Sequence, residues 1–387
     1  MKKILGISAG FHDAAATLID TDGNILFAGH SERYSKIKND SDLCLGLFSG
    51  VCDIAGSEIT QIAYYERPLL KQLRQAYSGQ GVEWDKLSAR QIINGQLNGM
   101  VKLPSKITTH GHHLSHAAAG FQTSPYNKAT VVVIDAIGEW DTISIWAADY
   151  DQRGVAKYKR LWGQRYPHSI GLFYSAMTKR VGLRPLDEEY ILMGMAAYGR
   201  PAWEDSLKHS LLDDEWNITF KNNLHTGVPE DYLKDADEYD IAASSQALVE
   251  NLIYNVMRRA SNFGFSSNLV YMGGVALNCS ANRNLGDYFD NIWIMPNPGD
   301  AGSSLGAAAL AYGKKLNWTD AFLGTDIPGN YPHSNILDAL ITDGICGVAS
   351  GRAEFGPRAL GNRSLVPGLW VIAVYLLILG VAASRTV

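Results

Sequence analysis

The sequence predicts an α/β fold built from two related halves, and three observations predict it. A strand, loop and hairpin pattern occurs twice: "ILGISAG" leads into "AAATLIDTDGNILFAGHSERY" with a turn at Asp22-Gly23, and "ATVVVIDAIGEWDTISIWAADYDQRGVAKYKRLW" turns near Asp151-Gly154. Strand-like runs alternate with helix-like runs along most of the chain. Each copy opens on a buried strand whose C-terminal end carries polar groups, which is where ligands bind in α/β sheets, so a cleft between the halves is expected.

The elements follow in order. Residues 66–122 read as mainly helical. After the second copy come a helix at "GLFYSAMTKRVGL" and another at "LMGMAAYGRP", closed by its Gly-Arg-Pro stop. Residues 203–245, rich in Asp, Glu and Lys with weak periodicity, are expected to form a surface insertion or small subdomain. A helix at "SSQALVENLIYNVMRRASNFG" follows, then a strand and glycine turn at "NLVYMGGVALNCSANRNL". In "NIWIMPNPGDAGSSLGAAALAYG" a strand ends at Pro298-Gly299-Asp300 and a small-residue helix begins. The run from Val366 to Ser384 carries no charge, and its apolar core, Leu369 to Ala383, is slightly short of the roughly 20 residues that span a bilayer.

Composition narrows the function classes. The 387 residues are enough for two lobes with substantial cores. Four cysteines, Cys44, Cys52, Cys279 and Cys346, show no CxxC spacing, which fits a reducing, cytoplasmic setting and excludes a cysteine-built metal site. A net charge of −5 argues against a protein that mainly binds a phosphate backbone. "MKKILGISAGF" suits a buried strand better than a signal-peptide core, because serine and then His12-Asp13 break its apolar run.

The densest chemistry lies in "HGHHLSHAAAGF". On a helix His112 and His116 point the same way, the spacing of two ligands on one metal, while His113 is turned aside. The glutamate of an HExxH zinc protease is missing. Asp135 ends the strand "TVVVID" and Asp300 sits at another strand end; two imidazoles with two carboxylates make a mixed N/O site suited to Fe(II), Mn(II) or Zn(II). Glycine-bearing strand exits, "GISAGFHD", "AIGEW" with Gly138 and Glu139, and "MGGVALN" with Gly273, Gly274 and Asn278, fit a cleft where backbone amides approach a nucleotide. Neither a P-loop nor a GxGxxG fingerprint is present. In "GRAEFGPRALGNRS" Arg352, Arg358 and Arg363 offer guanidinium groups suited to phosphate or carboxylate oxygens.

Seven motifs in order, "ILGISAGFHDAAA", "HHLSHAAAGF", "DAIGEWDT", "LMGMAAYG", "GGVALNCSAN", "NPGDAGSSLGAA" and "GRAEFGPRALGNRS", resemble the O-carbamoyltransferases that modify nodulation factors and antibiotics. The resemblance runs from about Ile4 to Leu365. It implies a duplicated ribonuclease-H-like domain of the ASKHA, Kae1-like type over residues 1–330, then the start of a YrdC-like domain at 331–365. It also implies that ATP and carbamoyl phosphate form a carbamoyl-adenylate, whose carbamoyl group passes to a substrate hydroxyl. Carried over residue by residue, it puts a divalent metal, expected to be iron, on His112, His116, Asp135 and Asp300, and His12 near the acceptor hydroxyl as general base. Gly138, Glu139, Gly273, Gly274 and Asn278 then face the adenylate, and Arg352, Arg358 and Arg363 are remnants of a carbamoyl-phosphate site.

The chain departs from the family pattern after Leu365, where residues 366–387 form an apolar tail in place of a longer polar domain. A frameshifted or truncated reading is favoured over a membrane anchor. The expected partner is a small hydroxyl-bearing molecule such as a sugar, nucleoside or antibiotic, without a stable nucleic-acid partner. Two alternatives remain: a relative of the tRNA threonylcarbamoyl-transferases, and a non-catalytic nucleotide- and metal-binding remnant.

Overall fold

Two five-stranded sheets with the same strand order organise the larger part of the chain. The computed structural model describes residues 2–56, 58–97 and 103–368, and its two units are Met1–Trp318 and Thr319–Val387. In the first half of the larger unit, β1 (Lys3–Ser8), β2 (Ala15–Asp20), β3 (Ile25–His30), β4 (Ile59–Tyr64) and β5 (Lys106–Thr109) lie in the order β3-β2-β1-β4-β5. The pairs β1–β2 and β2–β3 are antiparallel, and β1–β4 and β4–β5 are parallel. In the second half, β6 (Lys128–Gly138), β7 (Asp141–Tyr150) and β8 (Ala156–Arg165) precede a small hairpin, β9 (Leu212–Asp214) and β10 (Thr219–Phe220), and then β11 (Asn268–Met272) and β12 (Asn291–Trp293). Its sheet runs β8-β7-β6-β11-β12, with β6–β7 and β7–β8 antiparallel and β6–β11 and β11–β12 parallel. Order and sense match strand for strand, which is the duplicated ribonuclease-H-like architecture that the resemblance implies.

Central strands buried on both faces read as continuous apolar runs, and all six residues of β2 are buried. The first core gathers Leu5, Ile7, Leu18, Phe27, Leu47, Ile62 and Tyr64; the second gathers Val132, Ile134, Ile145, Phe173, Leu252, Val256 and Tyr271.

The halves are joined by an exchange of helices. The helix His112–Thr123 follows β5 of the first half but packs on β6 and β11 of the second, while Ser303–Tyr312 follows β12 and packs on β1, β2 and β4 of the first. The two helices also pack on each other. Small residues are required there: a Cβ on Gly306 would lie 1.8 Å from the Ser115 carbonyl oxygen, and one on Gly6 would lie 1.9 Å from that of Ser304. "HAAAGF" and "SSLGAAALAY" are therefore small because backbone meets backbone, and the exchange carries first-half histidines into the second half.

The structure refines three sequence expectations. Residues 66–122 hold the helices Pro68–Tyr77, Ala89–Leu97 and His112–Thr123, but also β5, whose "KITT" is too short to show alternation. Residues 203–245 are not a surface appendage, because Leu207, Leu211, Ile218, Phe220 and Leu224 are buried in the second core. The following helix also begins earlier than expected, spanning Glu238–Asn262, with the Asp237 carboxylate accepting from the N–H of Tyr239 (2.8 Å).

In the smaller unit, β13 (Asp326–Ile327) pairs with β15 (Gly351–Arg352), and β14 (Ile345–Ala349) with β16 (Arg363–Pro367), both antiparallel. The helix His333–Thr342 has no buried residue, and Phe355 is buried. Most of the apolar tail, residues 369–387, lies outside the described residues. Among the described residues no helix is long and apolar enough to cross a membrane.

Candidate active site

Four side chains from three elements converge at the junction of the halves. His112 and His116 stand one turn apart on the exchanged helix, Asp135 lies on β6, and Asp300 follows β12. The Nε2 atoms of His112 and His116 are 3.1 Å apart. Asp135 Oδ2 is 3.1 Å from His112 Nε2 and 3.4 Å from His116 Nε2, and Asp300 Oδ1 is 3.3 Å from each. All four potential ligand atoms lie within 4.8 Å of one another.

The other polar atoms of His112, His116 and Asp135 are already engaged, which aims the free ones inward. His116 Nδ1 lies 3.0 Å from the Pro298 carbonyl, to which it can only donate, so its Nε2 is left as the donor atom for a metal. His112 Nδ1 is 3.3 Å from Oε2 of the buried Glu66. Asp135 Oδ1 accepts from the backbone N–H of Ala136 (2.9 Å) and Gly274 (3.3 Å), leaving Oδ2 for the site. This donor set fits a divalent cation: two oriented imidazoles, two carboxylates, and outer hydrogen bonds that fix them.

The electrostatics agree. Burial opposes charging His112, yet the Asp300 charge and hydrogen bonds to Asp135, Asp300 and Glu66 hold its pKa well above the usual imidazole range. Burial would raise Asp135, but its hydrogen bonds with His112 and His116 hold it well below the usual carboxylate range. His113 behaves oppositely: burial, then the neighbouring His112 charge, push it down to about 3. Its Nδ1 meets Ser144 Oγ at 2.8 Å, so it is a neutral packing residue. His12 is half-exposed, with Nδ1 3.0 Å from Asp13 Oδ2. Burial lowers its pKa, but the bond to Asp13 and the charges of Asp13, Asp300 and Asp135 outweigh that and hold it at about 9.

The residues expected to face the adenylate divide. Gly274 reaches the site through its N–H to Asp135. Gly273 has φ +92°, and a Cβ there would lie 2.1 Å from the Ile134 carbonyl oxygen, so the close pairing of β11 with β6 demands glycine whatever binds. A Cβ on Gly138 would lie 2.4 Å from His112 Cδ2, so this glycine makes room for the imidazole. Glu139 is committed to Arg67, accepting from its backbone N–H (2.7 Å) and from Nη2 (2.8 Å). Asn278 caps the turn through Ala281 and exchanges two hydrogen bonds with Gln246 (2.9 and 3.0 Å), so its amide shapes the turn.

The arginines of the smaller unit make bonds within the chain. Arg352 donates to the carbonyls of Leu323 (2.8 Å) and Gly324 (3.2 Å). Arg363 donates to Glu354 and to the carbonyls of Gly356 and Arg358, each at 2.8 Å. Arg363 therefore holds its own loop together, and Arg352 ties that loop to the Leu323-Gly324 segment. Sequence reasoning missed Glu66; the signal available was the apolar run "IAYY" ending in a charged pair before Pro68.

Over an alignment 446 positions long, gaps included, the chain is 32% identical to an uncharacterized protein of Synechocystis, covering 95% of this chain and 71% of that one. It is 28% identical to the nodulation protein NolNO of Sinorhizobium fredii, covering 92% of this chain but only 58% of NolNO. It is 24% identical to the 3'-hydroxymethylcephem-O-carbamoyltransferase of Streptomyces clavuligerus, covering 92% and 71%. Among solved structures, full-length HypF aligns with a TM-score of 0.44 at 14% identity, over 80% of this chain and 55% of that one. The model of the carbamoyltransferase N-terminus matches residues 80–309, which include all four converging side chains, and the chain belongs to that carbamoyltransferase family.

Proposed function

We propose that this chain carries the transfer site of an O-carbamoyltransferase acting on a small hydroxyl-bearing molecule. The donor is carbamoyl-adenylate, formed from ATP and carbamoyl phosphate. The acceptor oxygen attacks the carbamoyl carbon, the bond from that carbon to the phosphate oxygen breaks, and AMP leaves. The observation that carries this reading is the convergence of His112, His116, Asp135 and Asp300 at the junction of the halves, inside the stretch matched by the family model.

His12 is the group to take the hydroxyl proton, with Asp13 stabilising the imidazolium that results. The four converging residues would hold Fe(II) or a similar divalent ion, which supplies Lewis-acid polarisation of phosphate or carbonyl oxygen when bound. A cation there also offsets the Asp135 and Asp300 charges that raise His12, bringing it toward the neutral form a base requires. The mixed anhydride has a good leaving group, so positioning and charge stabilisation are the main tasks left to the protein.

The commitment of Arg352 and Arg363 to Glu354 and backbone carbonyls favours a second reading for the adenylate step: this polypeptide transfers, and carbamoyl-adenylate is made elsewhere. One experiment addresses both. The purified chain is given ATP, carbamoyl phosphate and Fe(II), and pyrophosphate is measured; synthetic carbamoyl-adenylate with a panel of hydroxyl acceptors is supplied in parallel. Pyrophosphate release supports a complete enzyme. Transfer from the supplied adenylate without pyrophosphate release supports the transfer half alone. A chain that binds neither AMP nor metal overturns the proposal.

A further inference from the structure

We infer that Glu66 is a positioning residue of the metal centre, orienting His112 and strengthening it as a ligand, and that Lys71 ties this carboxylate to the loop bearing His12. The inference rests on reading the four converging residues as a metal site.

Glu66 immediately follows β4 and is 0% exposed. An ionised carboxylate withdrawn from water is costly unless it is paired, and here Lys71 supplies the pair, donating to Oε2 at 3.4 Å, while Oε1 accepts no hydrogen bond. Oε2 is 3.3 Å from His112 Nδ1, and Oε1 is 3.3 Å from Lys71 Nζ. The Lys71 ammonium also sits 3.7 Å from the centroid of the Phe11 ring, and Phe11 precedes His12. One buried ion pair thus touches a metal-ligand candidate on one side and the candidate base's loop on the other. The neighbouring Arg67 is clamped through its N–H, Nε and Nη2 to Glu139 of the second half, so the backbone carrying Glu66 is pinned to the strand exit next to Asp135.

The two imidazoles are therefore supported unequally. His116 rests on a neutral carbonyl, that of Pro298, whereas His112 rests on a carboxylate. A carboxylate on Nδ1–H fixes the tautomer that presents Nε2 and raises the basicity of that nitrogen. Lys71 balances the charge this adds, so the donor set is strengthened without leaving an unpaired anion beneath the site.

The test is metal affinity of the full chain, read with Co(II) by chelator competition and by the visible spectrum of the bound ion. Glu66→Gln keeps an oxygen acceptor and removes the charge; we expect about 10- to 100-fold weaker binding and an altered spectrum, with far-UV circular dichroism unchanged. Glu66→Asp is expected to recover part of the loss. If Glu66→Gln does not fold, the double variant Glu66→Gln/Lys71→Met removes both charges of the pair, and the same weakening is expected. Wild-type affinity in whichever of these variants folds overturns the inference while leaving the metal site standing. Absence of Co(II) binding by the wild-type chain, or binding undiminished in His116→Ala, overturns the metal reading itself and this inference with it.

Discussion

The two halves share one strand order but contribute opposite chemistry to the site. The helix after β5 brings His112 and His116, and the end of β4 brings Glu66; at the matching positions the second half offers Asp300 before its exchanged helix and the glycine pair Gly273-Gly274 after β11. The duplicated fold fixes where groups can be placed, at strand exits and helix starts, and leaves each half free to choose what is placed there. Of the four converging side chains, the imidazoles come from one half and the carboxylates from the other, so neither half holds the cluster alone.

The largest effect should come from breaking this shared ownership. His116→Ala, removing a first-half ligand, and Asp300→Asn, weakening a second-half one, should each abolish retention of metal through gel filtration and abolish carbamoyl transfer, with circular dichroism retained. If only one of the two variants loses metal, the cluster belongs to a single half and the comparison breaks.

Next in size is the packing that makes the exchange possible. Gly306→Ala puts a methyl 1.8 Å from the Ser115 carbonyl oxygen, where one helix backbone meets the other, and should cost about 3 kcal/mol in urea unfolding. Gly95, in the helix Ala89–Leu97, is the control. A Cβ there meets nothing within 4 Å, so Gly95→Ala should stabilise by about 0.5–1 kcal/mol. Equal effects at the two positions would mean that the exchanged helices are not in backbone contact.

What the sequence discloses follows the same division between place and content. The repeated hairpins, the i, i+4 histidines and the acids at strand ends carry local signals, so the doubled sheet and the grouping of His112, His116, Asp135 and Asp300 were legible. Glu66 was not, because its role depends on a pairing of β4 with β1 and β5 that no spacing announces. The arginines of the smaller unit invited a phosphate because their charge is visible in the sequence, whereas the carbonyls that take up Arg352 and Arg363 are not. Residues 203–245 looked superficial because Asp, Glu and Lys dominate the composition while Leu207, Ile218 and Phe220 do the packing. The hold of Gln246 on the Asn278 amide was not legible, because the two residues lie far apart in sequence.

The smallest prediction concerns a detail the halves have kept in common. The turns from β2 to β3 and from β7 to β8 each rest on an aspartate three residues before a glycine: Asp20 with Gly23 at φ +87°, and Asp151 with Gly154 at φ +72°. Each aspartate accepts two backbone N–H groups through Oδ1, Asp20 from Asp22 and Asn24 (2.9 Å each), Asp151 from Arg153 (2.9 Å) and Val155 (3.0 Å). The surroundings differ. Asp20 is buried and also binds Asn24 Nδ2 at 2.9 Å, while Asp151 adds only exposed pairs with Lys157 (3.4 Å) and Arg153 (3.6 Å). Asp20→Ala should therefore cost about 1 kcal/mol and Asp151→Ala less, because hydrogen bonds shielded from water are missed more than screened surface pairs. The sign with pH is common to both. Burial would raise Asp20, but the bonds from Asn24 and the neighbouring backbone lower it; backbone bonds from Val155 and Arg153 lower Asp151 from 3.8 to about 2. A carboxylate depressed in the folded state stabilises above its unfolded pKa, and that stabilisation is lost as pH falls through the folded value. The gap in urea midpoint between wild type and Asp20→Ala should accordingly hold from pH 7 to about 5 and narrow as the pH approaches 3. A gap that widened on acidification would mean that the turn is held by the protonated acid, and the two hairpins would then have to be explained separately.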